Sequence, residues 1–149
     1  MAAMEKAMIE RGKEVGINFS YGGQLSNTID SHRLIEKAYE LKGQDGQLAL
    51  VDKLFAAYFE EEQDVGSHDV LTKAAQESGV MTEQEARDFL ASDEMGKEVQ
   101  QKIMRAQQLG VSGVPFTVLN DQVAVSGAQE TDTFYSVFTK LAKGELETE

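Results

Sequence analysis

The sequence predicts an α/β fold that is mostly helical by content, with a C-terminal β-hairpin and one final helix. Helix formers and helix stop signals alternate up to about residue 108. The pattern then changes, because residues 115–119 and 123–125 are β-branched or aromatic and flank Asn120-Asp121, as in a hairpin. Helical spacing returns at residues 131–143. The 149 residues, 41% of them hydrophobic, suffice for one domain with a buried core.

Two helices are predicted before residue 44. The first covers Met4–Val15 and closes at Gly16, a residue suited to a left-handed cap. A turn-rich stretch follows it. Ser26 or Asn27 then caps the second helix, which is predicted to end at Gly43.

A third helix, Leu48–Glu61, is predicted to be the central core helix. Its apolar residues have helical spacing, and Leu50 and Phe59 make its apolar face wider than a surface helix needs. The apolar face predicted for it consists of Leu48, Val51, Leu54, Phe55 and Tyr58.

Three shorter helices are predicted at residues 69–77, 83–90 and 93–108. The middle one opens with a capping box from Thr82 to Glu85. The final helix ends at Gly144, and its apolar stripe is expected to lie on the hairpin. That stripe consists of Phe134, Val137, Phe138 and Leu141. Residues 1–143 are therefore predicted to form a single domain, followed by a flexible acidic tail at residues 144–149.

Composition excludes several classes of function. The net charge of −12 would repel nucleic acids and anionic membranes, and no apolar run approaches the roughly 20 residues of a membrane span. The chain has no cysteine, so it has no thiol chemistry or disulfide of its own. Two histidines are few ligands for a histidine-based metal site, and no cofactor motif is present. We expect a cytoplasmic protein without metal or cofactor.

Several short sequence segments resemble the FrnE-like branch of the DsbA-type thioredoxin-fold proteins. They follow one another in order along almost the whole chain. A lone proline before a strand, a hairpin and a terminal helix is similar to the cis-proline loop of that fold. The segments are Asn27-Thr28, His32-Arg33-Leu34, Leu54-Phe55-Ala56-Ala57-Tyr58-Phe59, Asp88-Phe89-Leu90-Ala91-Ser92, Gly110-Val111-Ser112-Gly113-Val114-Pro115-Phe116 and Val125-Ser126-Gly127-Ala128-Gln129.

The resemblance implies a thioredoxin-like remnant, in which a helical insertion domain precedes the hairpin and the last helix. Members of the family begin with a strand, a helix that carries the CxxC motif and a second strand, and this sequence begins after them. The hairpin would then have an open edge that something must cover. We predict a homodimer; a displaced helix or a separate polypeptide are the alternatives.

His32 is the catalytic candidate, because imidazole exchanges protons near neutral pH and the resemblance places this region at the active-site groove. A packed structural histidine is the alternative. Asn27 and Thr28 match the family's pair near the groove and would orient a substrate carbonyl, although helix capping also explains them. His68, at a predicted helix start, is expected to be an ordinary surface residue.

Four further residues are predicted to bind substrate. Arg33 would hold a carboxylate, unless it is a solvated arginine paired with an acidic neighbour one turn away. Tyr58 would contribute a hydroxyl to an apolar pocket, unless it packs in the core. The resemblance implies that a cis bond between Val114 and Pro115 exposes backbone to an extended substrate; the alternative is that the turn into the strand requires the proline.

Three functions follow as hypotheses. The first is a cysteine-free, dimeric binding or assembly module related to the disulfide oxidoreductases. The second comes from the resemblance, since the family includes 2-hydroxychromene-2-carboxylate isomerase and proteins of polyketide pathways: a small-molecule isomerase or cyclase that acts on an aromatic or polyketide substrate by proton transfer. The third is one half of a split thiol oxidoreductase.

Overall fold

The computed structural model describes residues 2–145, in which six helices and two strands follow one another. The helices are α1 (Ala2–Glu14), α2 (Ile29–Phe59), α3 (His68–Glu77), α4 (Glu83–Ala91), α5 (Gly96–Gln108) and α6 (Thr131–Lys143). Strands β1 (Phe116–Leu119) and β2 (Val123–Ser126) lie between α5 and α6. The mostly helical content and the single hairpin confirm the predicted fold class. Most of the acidic tail predicted at residues 144–149 lies outside the described residues.

The chain divides into two compact units between Lys102 and Ile103. The first unit is helical and contains α1 to α4 and the start of α5. The second contains the end of α5, the hairpin and α6. Among the described residues, none of the helices combines the length and the apolarity that a membrane crossing requires.

The two helices predicted between residues 27 and 61 form the two halves of α2, and the predicted helix end at Gly43 lies at the kink between them. Gly43 has φ 66° and ψ −160°, which breaks the helix, and the chain re-enters helical geometry at once. Glycine adopts this backbone conformation without the clash that a Cβ atom would cause. Gly43 is therefore a sharp kink between two helical halves.

The two halves of α2 run back beside each other and share one core. The side chains of Leu34 and Ala38 in the first half are buried with Leu50 and Leu54 in the second. The Gln47 side-chain amide also donates to the Ile35 carbonyl at 3.3 Å. The buried cluster consists of Leu34, Ala38, Leu50, Leu54, Leu71, Ala74, Ala75, Val80, Met81, Ala86, Phe89 and Leu90, from α2, α3, α4 and the turn before α4.

The face of α2 that is buried differs from the predicted one. Leu50, Leu54 and Ala57 lie in the core at i, i+4 and i+7. Leu48 and Phe55, both predicted to be core residues, are 51% and 58% exposed. Because apolar residues surround this half of α2, spacing alone did not determine which stripe faces α3 and α4.

The predicted capping box at the start of α4 is confirmed. The Glu85 amide donates to Thr82 Oγ1 at 3.3 Å, and the Thr82 amide donates to Glu85 Oε2 at 2.8 Å. Hydrogen bonds from the Thr82 backbone and hydroxyl hold the pKa of the Glu85 carboxyl below its ordinary value. This reciprocal pair fixes the start of α4.

The hairpin is also confirmed, with β1 and β2 antiparallel and Leu119 opposite Val123. Asn120 and Asp121 have φ values of 53° and 54°, and the Gln122 amide donates to the Leu119 carbonyl at 3.0 Å. Two consecutive residues with positive φ define the type I′ turn that suits the twist of a hairpin. Asn and Asp tolerate this conformation better than most residues do.

Helix α6 fully buries none of its residues. Phe138 is exposed, whereas Phe134, Val137 and Leu141 are half-buried. Each strand is four residues long and presents only two side chains to each face. Val125 is the one residue of the hairpin that is buried. Such a small sheet offers little apolar area against which a helix can pack.

Candidate functional site

A groove of about 230 Å³ lies in the first unit, between the two ends of α2. A straight helix would separate Ile35 from Phe55 by about 30 Å at 1.5 Å per residue. The kink at Gly43 brings these two residues to the same groove. The lining residues are Leu25 and Ser26 before α2, Thr28, Ser31, His32 and Ile35 at its start, Leu54, Phe55, Tyr58 and Phe59 at its end, and Val65 beyond it.

His32 lies at the wall of this groove with its side chain exposed. Its backbone amide donates to the Thr28 carbonyl at 3.1 Å, which places it in the first turn of α2. Among the described residues, the imidazole ring forms no hydrogen bond within the protein. The ring is therefore available to a molecule in the groove, in contrast to a packed histidine whose ring nitrogens are used internally.

The two residues of the Asn27-Thr28 pair differ in their surroundings. The Asn27 Oδ1 atom accepts from the Ile29 amide at 2.9 Å, so its carbonyl oxygen is used to begin the helix. Thr28 is the N-cap residue, but its hydroxyl forms no capping hydrogen bond, and the residue lines the groove. Of this predicted pair, Thr28 is the one placed beside His32.

Arg33 is buried, so the prediction of a solvated arginine was wrong, although the pairing predicted with an acidic neighbour one turn away is present, with Asp30. Its Nε donates to the Glu94 carbonyl at 2.7 Å, and its Nη2 donates to the carbonyls of Ser92 at 2.7 Å and Phe89 at 3.3 Å. Its Nη1 contacts Asp30 Oδ1 at 2.7 Å, and the guanidinium lies 5.1 Å from the centre of the Phe89 ring. Arg33 therefore holds the end of α4 and the following turn against α2.

Asp30 contacts both Arg33 and His68, and the sequence did not predict its contact with His68. His68 Nε2 lies 2.7 Å from Asp30 Oδ2, and the Asp30 carboxylate thus links the starts of α2 and α3. Burial raises the pKa of Asp30, but hydrogen bonds and charge interactions with Arg33 and His68 outweigh it, so the pKa lies below its ordinary value. The separation of 38 residues leaves no local signal for this contact.

The lowered pKa of Asp30 predicts a pH dependence of stability. A carboxyl with a lower pKa in the folded than in the unfolded protein stabilises the fold above its unfolded pKa, and that stabilisation is lost as pH falls through the folded pKa. We expect Asp30→Asn to be less stable than the wild type at about pH 5, with the difference shrinking towards about pH 2.5. Urea denaturation at the two pH values measures it. A difference that stays constant would contradict the assignment.

Tyr58 belongs both to the groove and to an aromatic cluster. Its ring meets the Phe59 ring edge to face at 4.9 Å, and Phe59 meets Phe19 in the same way at 5.8 Å. Phe55 meets Phe59 at 5.6 Å and remains largely exposed. The aromatic residues at the end of α2 thus form a surface that is open to a ligand on one side.

Val114 and Pro115 lie in the second unit and are not among the residues that line the groove. The peptide bond between them is cis, and the Val114 side chain is exposed. The Pro115 carbonyl accepts from the Gly127 amide at 2.9 Å, next to the hairpin. Within residues 2–145, no three His, Asp or Glu side chains come together in an arrangement that would hold a metal ion.

The chain matches the model of a known protein family. The family model of the DSBA-like thioredoxin domain matches residues 1–138 and so covers most of both units. A search of curated proteins found no match to the chain.

Proposed function

Because the chain belongs to the DSBA-like thioredoxin domain family, we propose that it is a binding module of that family without thiol redox activity of its own. The chain contains no cysteine to carry a thiolate. The observation that carries the proposal is the groove, whose walls are aliphatic and aromatic and whose one exposed imidazole is that of His32. Apolar walls with a few polar groups are typical of small-molecule sites.

The size and chemistry of the groove favour a small aromatic ligand. Its volume of about 230 Å³ lies below the roughly 300–1,000 Å³ of drug-sized sites, so one or two fused rings fill it. The Ser31 hydroxyl already donates to the Val65 carbonyl. This leaves Ser26, Thr28, His32 and Tyr58 as the polar residues of the lining that would meet a carbonyl or carboxylate of the ligand. A small aromatic acid or an aromatic polyketide fragment has this chemistry.

Binding of 1-naphthoic acid tests the proposal. We expect it to raise the melting temperature of the wild type, since ligand at about 100 times Kd adds about 2.7 kcal/mol of stability. Phe55→Ala removes a wall of the groove and should weaken binding about tenfold. Tyr39→Ala is the matched control, because Tyr39 is an aromatic residue of α2 that is equally exposed, at 55%, and does not line the groove. Equal affinity in both variants, or no binding to the wild type, would overturn the proposal.

An isomerase or cyclase that works by proton transfer is the second candidate. His32 and Tyr58 are the titratable residues among those that line the groove, and imidazole is suited to proton transfer near neutral pH. If the groove is catalytic, His32→Gln should abolish turnover of a bound aromatic substrate while leaving its affinity within a few-fold. Unchanged turnover in this variant would leave binding as the function.

The second unit favours a homodimer. In its hairpin only Val125 is buried, and α6 exposes Tyr135 and Phe138. An isolated two-stranded hairpin is marginally stable in water, so a further surface is needed to cover it. A second copy of the chain would bury this apolar area. Multi-angle light scattering at micromolar concentration should give twice the 16.4 kDa mass of the chain; a monomer would overturn this proposal and favour a cover from another polypeptide.

A further inference from the structure

The connector between α1 and α2, residues 15–28, contains no helix or strand and yet is fixed to the end of α2. The Ser20 amide donates to the Phe59 carbonyl at 2.7 Å, and the Asn18 amide donates to Glu60 Oε2 at 3.0 Å. The Gly22 amide donates to Glu62 Oε1 at 3.1 Å, and the Ser20 hydroxyl donates to the same carboxylate. Three backbone amides of the connector are thus satisfied at this single end.

Glu62, which follows the end of α2, holds this contact in an unfavourable backbone conformation. Its φ is 56°, in the left-handed region where a Cβ atom crowds the backbone. Such conformations persist where the surroundings over-determine them, and they concentrate at binding and switch sites. For Glu62, these surroundings are the two hydrogen bonds that its carboxylate accepts from the Ser20 hydroxyl and the Gly22 amide.

The connector fits the structure closely at two points. A Cβ atom at Gly22 would lie 2.5 Å from Glu62 Oε2, and a Cβ atom at Gly66 would lie 2.6 Å from Ser26 Cβ. The approach at Gly66 requires glycine, because a backbone carbonyl also lies within 2.9 Å, whereas a methyl group at Gly22 would displace the flexible end of the Glu62 side chain. Leu25 and Ser26, between these two points, form one wall of the groove.

We propose that Glu62 is a positioning residue of the groove: its carboxylate holds the connector so that Leu25 and Ser26 close one side, and release of this contact lets a ligand enter and leave. This inference rests on the proposed binding function. Leu25 is 87% exposed although it lines the groove, so an apolar ligand gains contact with it only while the connector is held. Ligand binding and the Glu62 contact therefore stabilise the same conformation.

Hydrogen exchange tests the contact without any ligand. In Glu62→Ala, the Gly22 amide should exchange about tenfold faster, the factor that corresponds to one lost hydrogen bond to a charged acceptor. Glu62→Gln keeps an acceptor oxygen and should lie between this variant and the wild type. Glu61→Ala is the matched control, since Glu61 is an exposed neighbour. Unchanged exchange in Glu62→Ala would overturn the inference.

Dissociation of the probe 8-anilinonaphthalene-1-sulfonate tests the consequence for the groove. In stopped-flow measurements on the whole chain, Glu62→Ala and Gly22→Ala should each release the probe about tenfold faster. The double variant should be no faster than either single one, because both changes break the same contact. Fast exchange of the Gly22 amide in Glu62→Ala with unchanged probe release would overturn the positioning role alone. A probe affinity that Phe55→Ala leaves unchanged would instead overturn the proposed binding groove.

Discussion

Replacing Arg33 by methionine is expected to lower the free energy of unfolding by about 3–5 kcal/mol, the loss typical of breaking a buried charged network. Methionine fills most of the volume but cannot donate a hydrogen bond. The carbonyls of Phe89, Ser92 and Glu94 lose their Arg33 donors, and Asp30 loses its buried partner. Each buried acceptor that is left unsatisfied costs roughly 1–3 kcal/mol. Urea denaturation at neutral pH measures the change.

Arg87→Met is the matched control for this prediction. Arg87 lies on the surface of α4 and pairs with Asp69 at 3.0 Å and Glu83 at 3.1 Å. Exposed ion pairs contribute little, because water solvates both partners after the change. Arg33→Lys should not restore stability, since one ammonium group cannot reproduce the planar arrangement of donors. A loss in Arg33→Met no larger than that in Arg87→Met would contradict the buried role.

Arg33 also illustrates what the sequence does and does not contain. Its pairing with Asp30, three residues earlier, follows from helical spacing and was foreseen. Its other partners lie 56 to 61 residues further along the chain and depend on how α4 packs against α2. The same holds for His68, whose contact with Asp30 appears only when α2 and α3 are packed. Polar contacts between residues far apart in the sequence therefore cannot be predicted from local sequence patterns.

The groove was only partly predictable from the sequence, because it too depends on residues that lie far apart in the chain. Thr28, His32 and Tyr58 were each predicted to be site residues, and all three line this groove, whereas Asn27, which was predicted with them, does not. Leu25 and Val65 were not foreseen, because they lie in irregular segments without hydrophobic periodicity. The hairpin was foreseen more completely, since its turn chemistry is local. Secondary structure that depends on neighbouring residues is therefore predictable, whereas the groove residues that lie in irregular connecting segments are not.

Leu50→Ala is expected to lower the free energy of unfolding by about 2–5 kcal/mol, the usual cost of removing a buried leucine and leaving a cavity. Leu50 is 0% exposed and packs in the core that α2 shares with α3 and α4. Neighbouring side chains cannot fill the space, because α2 is fixed on both sides of this position by the kink at Gly43 and by Leu54. Thermal and urea denaturation both measure the loss.

Leu48→Ala, two residues earlier in the same helix, separates core packing from hydrophobicity in general. Both leucines belong to the apolar surface of one helix, and both substitutions remove the same atoms and have the same effect on helix propensity. Leu48 is 51% exposed, so its loss should stay within about 0.5–1 kcal/mol. If Leu48→Ala costs as much as Leu50→Ala, the buried face is the one that the spacing of Leu48, Val51 and Phe55 predicts. A cost confined to Leu50 means that the face that carries Leu50, Leu54 and Ala57, rather than the predicted one, enters the core.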